Sequence, residues 1–413
     1  MLRMGRADVA REFLEWYAGF QFPNGKIPCC VDARGADPVP EHDSNGEFIY
    51  LAAEYWRHTH DRAVADRIWP NVMRAALYID SLRQQRRKPE FQSGDKRAFY
   101  GILPPSISHE GYSAKPMHSY WDDFFALRGL KDAVELAHAL SRPEEPQLMS
   151  LRDEFRRDLY ASIQFAMAQH RIDFIPGAAD LGDFDATSTT IAVTPVAELG
   201  RMPDSVAHAL DRTFDRYWSE FVARRDGTKP WESYTPYELR AVGTMVRLGK
   251  RDRAHELLDW FFKGQRPAEW YQWAEVVWRD PATPKFVGDM PHTWVGSDYI
   301  RSLLDMFAYE READSSLVIG AGIPEAWVME KPGVTVRRLS THYGPLSYTV
   351  RNENGRARVS MSAGLTIPPG GIIVHSPFAK PVGEVRVNGV PSAAGPSGGV
   401  LVRSLPAEVV FRP

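Results

Sequence analysis

The chain has 413 residues, 44% of them hydrophobic and 25% charged, with a formal charge of -3, the balance of a globular protein with enough apolar material for a large core. That charge offers no cationic attraction to nucleic acid or to an anionic membrane surface, and no run of about 18 apolar residues predicts a membrane span. The two cysteines, Cys29 and Cys30, are adjacent, which excludes a disulfide scaffold and lacks the spacing that lets two thiolates meet one zinc ion.

In chain order, Val9, Phe13, Leu14 and Tyr17 recur at helical spacing and predict a helix over 4–18. The opening MLRMGRADVAREFLEWYAGF has no apolar stretch of the kind a signal peptide needs. With the free thiols, this predicts a cytoplasmic location. The segment QFPNGKIPCCVDARGADPVPEHDSNG is rich in Gly, Pro and Asp and reads as a long loop. Helices follow over 47–59, with Asp43 or Ser44 as cap, and over 61–84, bent or divided at Pro70. A second irregular segment, KPEFQSGDKRAFYGILPPSISHEGYSAKP, leads into helices over 119–140 and 144–169. A third, DFIPGAADLGDFDATST, precedes helices over 189–199, 203–223, 234–246, 250–263 and 292–309.

Short connections thus alternate with long ones, and the long ones hold the aromatics and the acids. This is the pattern of helical hairpins in a ring, their long loops gathered at one face. The fold class read from it is mainly α, an (α/α)6 toroid over 1–314. About ten helices fall two short of a complete double ring, so the toroid reads as incomplete at its N-terminal side or as having one hairpin replaced. From 315 to 413 the texture changes. VTVRRLSTHYGPLSYTVRN, GIIVHSP, VGEVRVNGVP and AEVVFRP are short, β-branched and separated by Gly, Pro and Asn-Gly turns, which predicts a C-terminal β-sandwich.

Trp, Tyr and Phe make up 12% of the chain, and several stand in polar, broken segments where a flat ring can stack on a sugar. Glycosidic cleavage needs a proton donor and a second carboxylate that activates water or attacks carbon. Carboxylates suit both roles because burial and neighbours move their pKa. The densest segment is AEWYQWAEVVWRDP followed by MPHTWVGSDYIRSLLDMF. In it Glu275 stands between Trp273 and Trp278 and is the candidate catalytic base, with Glu269 as the substitute and His292 and Trp294 as sugar contacts. In SHEGYSAKPMHSYWDDFFALRG, Asp122 is the preferred acid, Trp121 and Asp123 are substrate contacts, and Glu110 is a further acid. Adjacent Asp122 and Asp123 lie on different helix faces, so one at most acts directly. Asp43 reads as a sugar-hydroxyl binder or cap. Asp180, Asp183 and Asp185 surround glycines as calcium loops do, yet lack the distal Glu, and capping by Asp185, Thr187 or Ser188 is the simpler account. His58-Thr59-His60 reads as a solvated helix end. No serine-hydrolase elbow, zinc helix, dinucleotide fingerprint or Walker loop is present, and no cofactor is expected.

DSNGEFIYLAAEYWRHTHD resembles a helix with an acidic start, YWDDFFALRGLKDAVELA the inner helix after the next long loop, and MPHTWVGSDYIRSLLDMF the segment after the catalytic-base region, of the six-hairpin glycosidase superfamily, nearest to α-L-rhamnosidases and related bacterial glycoside hydrolases. The resemblance implies an (α/α)6 barrel, two catalytic carboxylates, an inverting hydrolase or in some branches a phosphorolytic enzyme, and a glycoside or oligosaccharide as substrate. It puts the general base on Glu275. In the rhamnosidase-like branch the acid lies before the first matched helix, outside these residues. In other branches it lies mid-barrel, where Asp122 or Asp123 matches. Three other functions compete: a polysaccharide lyase using His118, Tyr120 or His292 on a uronate, a non-catalytic glycan-binding or subunit protein, and a purely helical interaction scaffold.

Overall fold

The structure is a computed structural model that describes residues 1–109, 111–283, 290–380, 382–395 and 398–413. It is mainly helical, with several β-sheets toward the C-terminus, and it divides into two compact units, Met1–Arg216 and Tyr217–Pro413.

The first unit holds α1 (Ala7–Ala18), α2 (Asp43–Thr59), α3 (Arg62–Gln84), α4 (Tyr120–Ala139), α5 (Glu145–His170), α6 (Ala186–Val193) and most of α7 (Asp204–Arg225). The long loop ahead of α2 carries a two-residue hairpin of β1 (Val31–Asp32) and β2 (Gly35–Ala36). Pro70 lies inside α3 without dividing it. Asp61 caps α3 by accepting the Val64 N–H at 3.1 Å, and Asp185 caps α6 through the Ser188 N–H at 2.9 Å, the simpler of the two sequence readings of that acidic loop. The His58 side chain is buried beside Glu54 rather than solvated, because α2 turns that face inward.

The α2–α4 packing is governed by two glycines. A Cβ on Gly46 would stand 2.0 Å from the Phe125 carbonyl oxygen, and one on Gly129 would stand 2.7 Å from the Gly46 Cα. The two backbones therefore touch, which only glycine permits. Such close approach seats the first residue of α2, Asp43, against Trp121 in the first turn of α4.

The second unit continues with β3 (Ser233–Tyr234), α8 (Arg240–Arg247), α9 (Arg251–Phe262), β4 (Val277–Trp278) and α10 (Thr293–Phe307). β3 pairs antiparallel with β4, Ser233 opposite Trp278 and Tyr234 opposite Val277, which ties the segment before α8 to the segment after α9. α8 and α10 are joined by two ion pairs: Arg240 Nη2 to Asp298 Oδ2 at 2.7 Å, and Arg247 Nε to Asp305 Oδ2 at 2.6 Å. Ser302 Oγ adds a hydrogen bond to the Leu239 carbonyl at 2.8 Å.

α10 passes directly into β5 (Ala308–Arg311), followed by β6 (Ser316–Ile319), α11 (Glu325–Met329), β7 (Val334–Thr341), β8 (Gly344–Glu353), β9 (Arg356–Met361), β10 (Ile372–His375), β11 (Glu384–Val387), β12 (Val390–Ser392), β13 (Gly399–Val402) and β14 (Ala407–Arg412). Six strands form one antiparallel sheet in the order β12-β11-β14-β9-β8-β7, and four form another, β13-β10-β6-β5, in which β10 and β6 run parallel. Alternate residues point inward as a half-buried strand requires. Leu346, Tyr348 and Val350 of β8, Val409 and Phe411 of β14, and Ile372 and Val374 of β10 join one hydrophobic cluster.

Candidate functional site

Within the first unit, a polar cluster gathers around the starts of α2 and α4. Asp43 is buried at the start of α2, where its Oδ1 accepts the Ser44 N–H at 2.7 Å and its Oδ2 accepts the Trp121 indole N–H at 2.7 Å. The His109 ring lies over Trp121 at 4.6 Å and 25°. His109 is tied through Nε2 to Ser188 Oγ at 2.9 Å, and Ser188 Oγ donates in turn to Asp185. Asp122 accepts from Ser108 Oγ at 3.1 Å and from Ser106 Oγ at the other carboxylate oxygen. Ser106 is fixed by a two-way backbone bridge to Met117, 3.0 Å in each direction.

Burial, and then the neighbouring charge of Asp43, hold the Asp122 carboxyl well above the usual carboxylate range. Burial alone lifts Asp123, whose Oδ1 accepts the Leu103 N–H at 2.9 Å. Its Oδ2 has no hydrogen-bond partner among the described residues. Ser119 is the N-cap residue of α4, without a side-chain cap bond, and both aspartates turn inward. Trp121 and Asp122 are each 1% exposed, so neither presents an open face to solvent. Glu110 lies outside the described residues.

Within the second unit, a half-exposed carboxylate stands among aromatics. Glu275 precedes β4, and its backbone carbonyl accepts from Thr235 Oγ1 at 3.0 Å. Its Oε1 lies 3.4 Å from the Tyr237 hydroxyl, which lies 3.3 Å from His292 Nε2. His292 is the N-cap of α10, its Nδ1 accepting the Val295 N–H at 3.4 Å. Trp294, 40% exposed, meets the Tyr237 ring edge-on at 5.0 Å. Arg240 lies over the Tyr237 ring at 5.2 Å. Burial, then the Glu275 charge, push the Tyr237 hydroxyl up, so it remains a proton donor at neutral pH.

The other sequence candidates fall differently. Trp273 is buried, with its indole N–H on the Phe261 carbonyl at 2.8 Å and its ring against Phe262 and Tyr299. It fills the core rather than offering a sugar platform, because its indole finds a backbone acceptor there. Glu269 is exposed beside Trp270 and Tyr271, which are 57% and 76% exposed. The residues that sequence reasoning passed over are Tyr237, Thr235, Ser106, Ser108 and His109. All stand in polar, Pro-broken segments, YTPYE and PPSISHE, distant in sequence from the acids they meet.

No protein-family model matches the sequence, and no curated protein sequence matches it. Solved structures do resemble it. The α-L-rhamnosidase from Dictyoglumus thermophilum superposes with a TM-score of 0.61 at 11% identity, over 98% of this chain and 44% of that one. The Streptomyces avermitilis α-L-rhamnosidase complexed with L-rhamnose superposes with a TM-score of 0.56 at 14% identity, over 97% of this chain and 36% of that one. The chain spans less than half the length of either. At such identity the likeness is one of fold: nearly the whole chain is similar in fold to part of these α-L-rhamnosidases.

Proposed function

We propose that the protein is a glycoside hydrolase that acts by acid/base catalysis with inversion. The observation that carries the proposal is Glu275, a half-exposed carboxylate held by Tyr237 beside the exposed face of Trp294. The fold likeness to α-L-rhamnosidases supports it. In this reading 1–314 is the (α/α)6 toroid and 315–413 the β-sandwich that accompanies it.

Glu275 acts as general base, taking a proton from water as that water attacks the anomeric carbon. Trp294 supports the apolar face of the sugar, with His292 beside it. Within the first unit Asp122 is the candidate acid. Its raised pKa suits that role, since a carboxyl that holds its proton at neutral pH is the one able to give it away. Asp43 repels negative charge on Asp122 and so keeps that proton in place. Asp43, Trp121 and Asp123 complete the polar frame around the acid.

The test is hydrolysis of a panel of glycosides, α-L-rhamnosides first, with Glu275→Gln as control and the anomer of the first product read by NMR. Hydrolysis that is lost in Glu275→Gln, releasing sugar of inverted configuration, supports the proposal. A retained configuration refutes the single displacement, and unsaturated products refute hydrolysis. Loss of turnover in Asp122→Asn, regained with aryl glycosides whose leaving groups need no proton, is the expected mark of the acid.

A further inference from the structure

We infer that Cys29 and Cys30 form a reversible modification site, a pair of adjacent thiols that a peroxide closes into a disulfide ring and a dithiol reopens. The pair stands in the loop between α1 and α2 of the first unit, apart from the groups assigned to hydrolysis, so the inference does not rest on the function proposed above.

The fold brings the two sulfurs together by tying the backbone on both sides of them. The Tyr17 hydroxyl donates to the Pro28 carbonyl, and the Asp37 N–H donates to the Cys30 carbonyl at 2.9 Å. Lys26 reaches across the loop to the Pro38 and Val39 carbonyls, and the Ile27 N–H is held by Asn45 Oδ1 at 2.9 Å. Between these ties, Cys29 donates its S–H to the Cys30 sulfur at 2.9 Å. Successive side chains along an extended chain point to opposite faces. A sulfur contact across one peptide is therefore a product of this loop and not of two cysteines being neighbours.

The two thiols differ in access. Cys30 is exposed and Cys29 is partly covered. Burial, then the bond to Cys30 and the Glu41 charge, push the Cys29 thiol up, so it keeps its proton at neutral pH. An oxidant therefore meets Cys30 first. The Cys30 sulfur attacks the peroxide, an S–O bond forms as the O–O bond breaks, and the products are a Cys30 sulfenic acid and one water. The Cys29 sulfur then attacks the sulfenic sulfur. The S–S bond forms, the S–O bond breaks, and the hydroxyl leaves with the Cys29 thiol proton as a second water. Two thiols have given up two electrons and two protons, and the peroxide is reduced to water. Contact between the sulfurs makes the second step intramolecular, faster than capture by an outside reagent. Adjacent Cα atoms lie about 3.8 Å apart, closer than the roughly 4.4 Å at which ordinary disulfides begin, so the ring is strained and opens readily to a dithiol.

The test uses the full chain, reduced and then freed of reductant, with hydrogen peroxide as the probe. The folded protein should lose both thiols together and about 2 Da of intact mass, show no disulfide-linked dimer on a non-reducing gel, and recover both thiols in dithiothreitol. Dimedone, which captures sulfenic acids, should label Cys30 at least about tenfold more in Cys29→Ser than in the wild type, because the variant lacks the sulfur that closes the ring. In urea, where the ties of the loop are gone, dimedone labelling of the wild type should rise as well. Thiols that survive peroxide, a sulfinic or dimedone-labelled Cys30 as the main product of the folded wild type, or linked dimers overturn the inference. Equal labelling of the wild type and Cys29→Ser does the same, and equal labelling of folded and unfolded wild type overturns the part assigned to the loop.

Discussion

Replacing Gly46 by alanine adds one methyl group at the point where α2 and α4 touch. That methyl would lie 2.0 Å from the Phe125 oxygen, 2.3 Å from its carbon and 2.9 Å from the Ala126 nitrogen. All three are backbone atoms of α4, so no side chain is able to swing away. An ordinary contact begins near 3.4 Å, and 3.4 minus 2.0 leaves 1.4 Å by which the helices must part. Overpacking of this kind costs about 1–3 kcal/mol, and a gap opened along the rest of the crossing adds lost dispersion. Better helix propensity returns up to about 1 kcal/mol. The net expectation is a loss of about 2–3 kcal/mol, read as a fall in Tm of about 5–10 °C for a unit of this size. Gly296 is the control. It lies in α10 with nothing nearer than Gln272 Oε1 at 3.9 Å, so Gly296→Ala should hold or raise stability by up to about 1 kcal/mol. Differential scanning calorimetry of both variants decides the matter. A Gly46→Ala protein that melts at or above the wild type refutes the close crossing, and with it the account of how Asp43 is brought to Trp121.

Three further outcomes follow from the buried charges. Asp123→Asn keeps an acceptor for the Leu103 N–H and removes an acid whose folded pKa is raised by burial. It should raise Tm at neutral pH, with the gain fading as the pH falls toward the ordinary carboxylate value; a lower Tm at pH 7 would show that Asp123 is held by a charge partner. Arg240→Met leaves the buried Asp298 with Arg301 at 3.1 Å as a remaining cation and should lower stability in urea unfolding by less than the about 3–5 kcal/mol of a fully stranded buried charge; an unchanged midpoint would remove the Arg240–Asp298 pair as a support of the α8–α10 contact. Burial lowers His42 to about 3 from 6.5. The unfolded chain therefore takes up a proton below pH 6.5 that the folded chain refuses until about pH 3, and stability must fall as the pH drops through that window, by roughly 5 kcal/mol in all. Urea midpoints measured between pH 7 and 4 should fall less steeply in His42→Leu; equal slopes would remove His42 as the cause.

Much of the helical layout was legible because it rests on local rules. The apolar spacing of Val64, Ile68, Val72, Ala76 and Ile79 marks α3 through Pro70, since a proline early in a long packed helix is tolerated when tertiary contacts outweigh it. The boundaries of α6 and α8 were harder. Both are short, eight residues each, and the segment before α8 first makes a short 3-10 turn, Pro236–Leu239. The run of sequence at Val334–Thr341 announced strands through its β-branched residues. β5 did not announce itself, because α10 passes into it without a turn. The surroundings of the candidate acids were hidden for a different reason. Asp122 depends on Ser106 and Ser108, many residues away in an irregular loop, and Glu275 on Tyr237 across a strand pair. Periodicity reads neither. Trp273 is the reverse case: it stands beside Glu275 in a sequence rich in aromatics, yet its indole hydrogen bonds to backbone in the core.

Arg240 and Arg247 are seven residues apart on α8, and their partners Asp298 and Asp305 are seven apart on α10. Seven residues advance a helix by about 10.5 Å and return it to nearly the same face. The two pairs are rungs at equal heights, and they require the helices to run in the same direction. They also act as a ruler. A single residue inserted into α10 between Asp298 and Asp305 would turn the second carboxylate by about 100° away from Arg247 and break one rung whichever register the helix chose. The loops ahead of both helices are free of that constraint. Tyr237 stands just before one and His292 caps the other, so the ruler brings two independently variable segments to the same level. Their chemistry is able to change by loop substitution while the spacing between them stays fixed.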